Sequence, residues 1–246
     1  MIRGLYTAAS GMMAQVVRQE TIGNNLANSD TVGFKQDLTI LQTGRENDVV
    51  RIPQERLQRQ EIIGSMDLGV LVSLQHTSFA QGPLQETGQA LDLAITGNGF
   101  FTVETPEGMR YTRNGAFNLD AERFLVTAEG DRVLGVLGPV QLPEGEVQIA
   151  PEGQILVNGQ LIDTLRLVEF ADPGQLQKTG SGYWSTEQAE LDFNGQVQQG
   201  YLEGANVQPA EEMARMVAVL RLYETNQRVL QAHDQLTGKI VNEIGI

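Results

Sequence analysis

The sequence contains no cysteine, which excludes disulfides, thiol catalysis and cysteine-ligated metals. Histidine is nearly absent too. His76 and His233 are the only two, about as far apart as two domains allow, and neither sits in a metal-ligand pattern. No hydrophobic run is long enough to span a membrane, so no membrane insertion is expected. The first residues lack the continuous apolar core and small-residue cleavage site of a signal peptide, so any passage out of the cytoplasm takes another route. Basic residues are outnumbered, 17 against 31 acidic, and the net charge of −14 argues against nucleic acid or anionic lipid as a partner. The ends escape this imbalance: residues 1–36 carry +1 and residues 205–246 carry −1, so the middle holds the whole excess. Serine and aspartate are common, but no base is paired with them, and no cofactor motif stands out.

What is present is strong periodicity at both ends of a 246-residue chain, long enough for one or two domains with a real core. From Leu5 onward, Leu5, Ala9, Met12, Val16, Gln19, Gly23 and Leu26 alternate steps of four and three, which places them on one helical seam. Ala9 and Gly23 are small enough to let a partner backbone come close. Tyr6, Ser10, Gln15, Arg18 and Asn24 around the seam are too polar for a helix buried on all sides. The helix closes on an asparagine-rich end, Asn24-Asn25-Leu26-Ala27-Asn28, a composition that suits a terminus better than an interior.

At the far end Pro209 suits a first helical turn, and Glu211 and Glu212 favour its positive dipole end. One seam follows through Met213, Met216, Leu220, Tyr223 and Leu230, and a second lies beside it through Val219, Leu222, Val229, His233 and Leu236. Two adjacent seams let one helix contact more than one neighbour, as a subunit of an assembly does. A helix that simply packs on its own domain is the competing reading.

Between the ends the signal is β. Four Asn-Gly pairs, at Asn98, Asn114, Asn158 and Asn194, are the strongest short hairpin cue, because both residues tolerate positive φ. Between them and further turns at Pro106-Glu107-Gly108, Glu129-Gly130 and Glu152-Gly153 lie short runs, among them Phe100–Glu104, Met109–Thr112, Val133–Leu137 and Thr164–Phe170. Many short strands at this spacing predict a mainly antiparallel β domain with a sandwich- or barrel-like core. Residues 36–75 are less periodic: Leu38–Leu41 and Asp67–Leu74 read as strands, Pro53 interrupts, and Glu55–Ile63 reads as strand or short helix. The fold class is therefore α+β. The expected division is a helix over 1–30, an extended linker or β region over 31–78, a central β domain over 79–204 and a helix over 205–246.

The chemical readings of this middle are weak. Gly97-Asn98-Gly99 resembles the start of a phosphate loop, but a strand follows where a helix is needed, so a hairpin turn is expected. Asp120, Glu122, Glu129 and Asp131 lack the regular spacing of a calcium loop and read as solvated turn acids. Trp184 reads as a core or edge anchor.

The stretch SGMMAQVVRQETIGNNLANSDTVGFK, most specifically Asn24 to Asn28 with Thr31, Gly33, Phe34 and Lys35, resembles the N-terminal signature of the bacterial flagellar axial proteins that build the rod and hook. FAQGPLQETGQALDLAITGNGFF and YTRNGAFNLD resemble the family's central domain, and LEGANVQPAEEMARMVAVLRLYETNQRVLQAHDQ its C-terminal signature. The resemblance implies end helices that pair as a coiled coil, with the β domain between them in sequence. It also implies self-assembly into a helical tube, the basal-body rod, which transmits motor torque to the hook. Implied partners are further copies, neighbouring rod and hook subunits, and the flagellar type III export apparatus; the implied location is extracytoplasmic, across the cell wall. The distal rod type fits best, before the proximal rod type and a short hook protein. A wall-directed carbohydrate-binding or hydrolytic β module with oligomerisation helices is the alternative of a different class.

Overall fold

The computed structural model describes residues 2–44, 46–51, 61–67 and 69–244. It is α+β, a helix near either end and antiparallel strand pairs between, and it divides into two compact units. One unit gathers residues 1–26, 37–76 and 209–246; the other gathers 27–36 and 77–208. The expected linker over 31–78 is thus shared between the two. His76 and His233 fall in the same unit.

The first unit holds α1 (Ile2–Ala27), β1 (Asp37–Thr43), β2 (Glu46–Arg51), β3 (Glu61–Asp67), β4 (Val70–Thr77) and α2 (Pro209–Ile244). β2 and β3 pair antiparallel, and β1 pairs with β4. Pro53 and the start of Glu55–Ile63 lie outside the described residues. The single strand expected over Asp67–Leu74 is broken, with β3 ending at Asp67 and β4 starting at Val70. Gly69 between them takes φ +74°, and a Cβ there would strike the Ser10 hydroxyl of α1. Only glycine combines that backbone with that approach.

α1 packs on two sides with different chemistry. Toward β1 and β4 it turns hydroxyls and amides: the Ser10 hydroxyl accepts the Val70 N–H at 3.3 Å, and Thr21 meets the Thr39 hydroxyl at 2.8 Å. Asn25 was expected to serve the helix terminus. Its amide instead brackets the first residue of β1, donating to the Asp37 carbonyl at 2.8 Å and accepting the Asp37 N–H at 2.9 Å. An edge strand start has unpaired backbone groups, and a buried amide satisfies both at once.

Toward α2, α1 turns glycine. A Cβ at Gly4 would lie 3.0 Å from His233, and one at Gly11 would lie 3.1 Å from Asn226. Seven residues forward on α1 is therefore seven back on α2, so the helices run antiparallel. On α2 the residues withdrawn from solvent are Glu212, Met216, Val219, Tyr223, Asn226, Leu230 and His233, again in steps of four and three. This line takes members from both expected α2 seams and runs between them. α2 begins, as expected, at Pro209, and Arg215 holds Glu211 at 2.6 Å and Glu212 at 2.8 Å in the first turn.

In the second unit β5 (Leu84–Glu86), β6 (Leu93–Thr96), β7 (Phe100–Thr105) and β8 (Gly108–Thr112) are followed by twelve further short strands. β7 is central. It pairs antiparallel with β8, with Arg132–Val133 and with Leu167–Glu169. Its alternating side chains feed two cores, as a strand's period of two demands. Phe101 and Val103 enter the larger, with Leu93, Ile95, Leu125, Val133 and Ile155; Phe100 enters the smaller, with Tyr111, Phe170 and Trp184. Trp184 is 3 % exposed and packs against Phe79 with ring centroids 4.9 Å apart, so the anchor reading holds.

Of the four Asn-Gly pairs only Asn158-Gly159, with φ +53° and +80°, closes a hairpin, between Gln154–Val157 and Gln160–Thr164. β6 pairs with Gln196–Gln199 and not with β7, so Asn98-Gly99 connects two sheets, which corrects the hairpin expected there. Gly99, Gly115 and Gly195 are needed for space. A Cβ at Gly99 would lie 2.5 Å from the Phe193 ring, and those at Gly115 and Gly195 would strike the carbonyls of Leu93 and Thr96. A further hairpin, unpredicted, turns on Ser181-Gly182, with φ +49° and +73°. The run expected over Thr164–Phe170 is divided between Gln160–Thr164 and Leu167–Glu169, and Val133–Leu137 is cut short by a turn at Gly135–Gly138. Asp120 acts as a turn acid, one oxygen accepting the N–H groups of Glu122 and Phe124.

Candidate functional site

Two features of the molecule are built beyond what a core requires. The first is a buried charge cluster in the β unit. Lys35, with a fully buried side chain, donates to Glu203 Oε1 at 2.7 Å and to the Ala80 carbonyl at 2.9 Å. The other carboxylate oxygen of Glu203 receives Arg113 at 3.3 Å, and Oε1 also accepts the Gly82 N–H at 2.8 Å. Arg113 reaches on to the Gly97 carbonyl at 2.6 Å. One carboxylate thus faces two cations, all three withdrawn from water. Burial pushes the Lys35 ammonium below its ordinary range, with the Glu203 charge opposing it, and acts on Arg113 in the same sense. Removing one partner of such a group leaves an uncompensated buried charge.

The main chain closes around the same point. The Gly33 N–H donates to the Glu203 carbonyl at 2.7 Å, and the Asn206 N–H donates to the Phe34 carbonyl at 3.4 Å. Asn206 accepts the Gln36 N–H at 2.7 Å and donates to the Ser78 carbonyl at 2.8 Å. Lys178 stands 4.8 Å over the Phe34 ring. The segment leaving α1 and the segment entering α2 are therefore tied side by side on the β unit, although Lys35 and Glu203 are 168 residues apart.

The second feature is the apolar surface left on the helices. The expected α1 seam starts one residue round from the Gly4–Gly11 line, about 100°, but its Gly23 faces Met216 of α2, whose methyl lies 4.0 Å from a Cβ placed there. Leu5 is 46 % exposed and Val16 is 40 % exposed; Ala9, Met12, Gly23 and Leu26 are intermediate. On α2 the packed line is flanked on both sides. Met213, Val217 and Leu220 are exposed along one flank, Leu222, Val229 and Leu236 along the other. Of the expected α2 seam residues, Met216, Val219, Tyr223, Leu230 and His233 face into the line that α1 approaches, and Met213, Leu220, Leu222, Val229 and Leu236 are exposed.

Compared with known proteins, the chain is 33 % identical over 97 % of its length to the flagellar basal-body rod protein FlgG of Borreliella burgdorferi, covering 97 % of that protein. The chain belongs to the flagellar basal-body rod protein family. It is also 30 % identical to the flagellar basal-body rod protein FlgF of Caulobacter vibrioides and to the flagellar hook-basal body complex protein FlhO of Bacillus subtilis, over 100 % of this chain and 99 % of each relative. Family models match in three places: "Flagella basal body rod protein" over residues 5–35, "Flagellar hook protein FlgE/F/G D1 domain" over 94–157, and "Flagellar basal body rod FlgEFG protein C-terminal" over 198–243.

The charge cluster draws one residue from each of these rod-family segments: Lys35 from the first, Arg113 from the second, Glu203 from the third. In the N-terminal motif, Asn25 serves β1, while Asn28 starts a turn through the Thr31 N–H at 3.1 Å. Gly33 takes φ +68° and lies against the Arg113 backbone, where a Cβ would come within 2.6 Å of the carbonyl carbon. Sequence reasoning missed Arg113 and Glu203. Their only signal is that charged residues sit inside otherwise family-like stretches with no surface pattern.

This geometry sets a test. Gly33→Ala combines a strained φ with a backbone collision and is expected to destabilise the β unit by more than the ~1–2 kcal/mol of the left-handed conformation alone. Gly159→Ala, at φ +80° with nothing nearby, should show only that smaller loss. Comparable urea midpoints for the two variants would contradict the packing described at Gly33.

Proposed function

We infer that the chain is a structural subunit of the bacterial flagellar basal-body rod, and that it assembles through its end helices into a helical tube carrying motor torque to the hook. The observation that carries this reading is the division of labour on the helices. Glycines on α1 and a line through Met216, Val219, Tyr223, Asn226, Leu230 and His233 on α2 serve the contact within the chain, while further apolar stripes on both flanks of α2 and on α1 stay in water. Such stripes make isolated helices marginal and gain stability when neighbours cover them. Copies related by a contact that does not close propagate as a helix.

Within the assembled tube the paired ends form a coiled coil, and the seam residues Leu5, Val16, Met213, Leu220, Leu222, Val229 and Leu236 meet neighbouring subunits. The partners are further copies, adjoining rod and hook subunits, and the type III export apparatus that delivers them. The chain works across the cell wall as a non-enzymatic shaft, nearest to the distal rod type. Concentrated purified protein should form tubes of constant diameter under the electron microscope, with no turnover of peptidoglycan. Closed compact oligomers, or measurable cleavage of wall material, would overturn the reading in favour of a wall-directed module.

A further inference from the structure

The chain passes between the two units four times, at residues 26/27, 36/37, 76/77 and 208/209. A covalent link leaves two soft dihedrals per residue, so an exit from the β unit is fixed by the bonds made beside it. Three of the four exits meet at one side chain of that unit, the amide of Asn206. Its Oδ1 accepts the Gln36 N–H at 2.7 Å, and its Nδ2 donates to the Ser78 carbonyl at 2.8 Å and the Ala80 carbonyl at 3.0 Å. The Ser78 N–H closes the ring, donating to the Gln36 carbonyl at 2.8 Å. Gln36 is the residue before β1, Ser78 the residue after β4, and Asn206 stands just ahead of α2.

Asparagine fits this node for a definite reason. An amide carries an acceptor and two donors on one short planar group, and here all three are in use. Turned the other way, its oxygen would face two carbonyls and its nitrogen an N–H, so the network allows one orientation. Aspartate would keep only the Gln36 bond. The node shares the Ala80 carbonyl with Lys35, whose ammonium donates to it at 2.9 Å, and so is anchored to the buried charge cluster. Asn206 itself is only half-buried. Water can replace its bonds at modest cost, so the two cores of the β unit do not depend on it.

We propose that Asn206 is the joint that fixes the chain's exits to the β unit, so that β1, β4 and α2 join it at one point and not as three independent tethers. Twisting those exits against the β unit loads the three amide bonds together, and bonds that share a load resist it better than bonds that yield in turn. A further consequence rests on the reading of the chain as a shaft subunit: the joint is where torque passes between the end helices and the β unit.

Amide exchange in the dilute chain tests the node. Asn206→Ala should speed exchange of both the Gln36 and the Ser78 N–H about tenfold. Asn206→Asp, which keeps an acceptor for Gln36 but has no donor, should speed Ser78 alone. Both variants should keep the thermal midpoint read by Trp184 fluorescence close to that of the unaltered chain. The absence of native cysteine allows spin labels at two chosen places, Leu137→Cys in the β unit and Leu222→Cys on α2, both exposed. Their distance distribution should be narrow, and adding Asn206→Ala should broaden it. In the polymer, Asn206→Ala should turn straight tubes into curved ones. Unchanged exchange, a distribution that is already broad or that stays narrow in the variant, or straight tubes from the variant overturns the joint. A large fall in the Trp184 midpoint also overturns it, since Asn206 then belongs to the core. If the unaltered chain forms no tubes, the shaft reading fails, while exchange and label distances still decide the joint.

Discussion

Glu203→Gln is expected to destabilise the β unit by about 3–5 kcal/mol, because it leaves two buried cations without the carboxylate that faces both. At the size of this unit that corresponds to a fall of roughly 10 °C in the thermal midpoint. Glutamine keeps the shape and still accepts the Gly82 N–H, so the loss isolates charge from packing. Trp184 is the only tryptophan and lies in the β unit, so its fluorescence reports this transition selectively. Adding Lys35→Met should recover part of the loss by removing one of the uncompensated cations. The pH dependence has a definite sign. Unfolded, Lys35 titrates at its ordinary value of 10.5; folded, burial lowers it. Between those values the unfolded chain holds more protons, so this group's contribution rises with pH and is lost as pH falls through the folded value. Removing the Glu203 charge takes away the largest influence opposing burial and widens that interval downward. The deficit of the variant should therefore narrow as pH rises from neutral into the alkaline range. Parallel stability curves for variant and parent would show that Lys35 stays charged throughout.

How much of this was legible in the sequence follows from the range of the interactions. Both helices were, because periodicity and Pro209 act within a few residues. Strand existence was largely legible as well, through β-prone runs of period two. Pairing was not. An Asn-Gly pair signals tolerance for an unusual backbone, and at Asn158 that tolerance makes a hairpin. At Gly99, Gly115 and Gly195 the missing side chain makes room for Phe193 or a neighbouring carbonyl, which only the tertiary structure reveals. The charge cluster was illegible for the same reason. Its members are drawn from three distant segments, and nothing local distinguishes Glu203 from a solvated acid.

The helix faces show a different limit. Apolar periodicity found the stripes containing Leu5, Val16, Leu222 and Leu236, yet the line along which the helices approach runs through Gly4, Gly11, Asn226 and His233. On α1 that line is held by glycine and has little hydrophobic signal, although on α2 it also takes in Met216, Val219, Tyr223 and Leu230. Among the residues selected by hydrophobicity, Leu5, Val16, Met213, Leu220, Leu222, Val229 and Leu236 are left exposed by the single chain, which is informative for a protein that functions among copies of itself.

Leu222→Asp is expected to abolish assembly while leaving the monomer intact. Leu222 is 48 % exposed and lies on the outer flank with Val229 and Leu236, a heptad apart, away from the line that α1 approaches. In the free chain its replacement changes little, within about 0.5 kcal/mol, as surface substitutions usually do. In a tube where this flank is covered, each subunit loses ~1.5–3 kcal/mol of leucine burial and must also desolvate a carboxylate. Since every 1.4 kcal/mol is tenfold, about 3 kcal/mol raises the threshold concentration for assembly more than a hundredfold. Light scattering and electron microscopy read that threshold, and circular dichroism of the dilute chain checks the helices. Leu230→Asp supplies the contrast, because Leu230 is half-buried on the packed line. It should reduce helicity in the monomer itself, while Trp184 fluorescence still melts at the parent temperature. If Leu222→Asp polymerises at the parent threshold, the outer flank is not a subunit contact. If it unfolds the dilute chain, that flank is covered within the chain and the stripe has no neighbour to recruit.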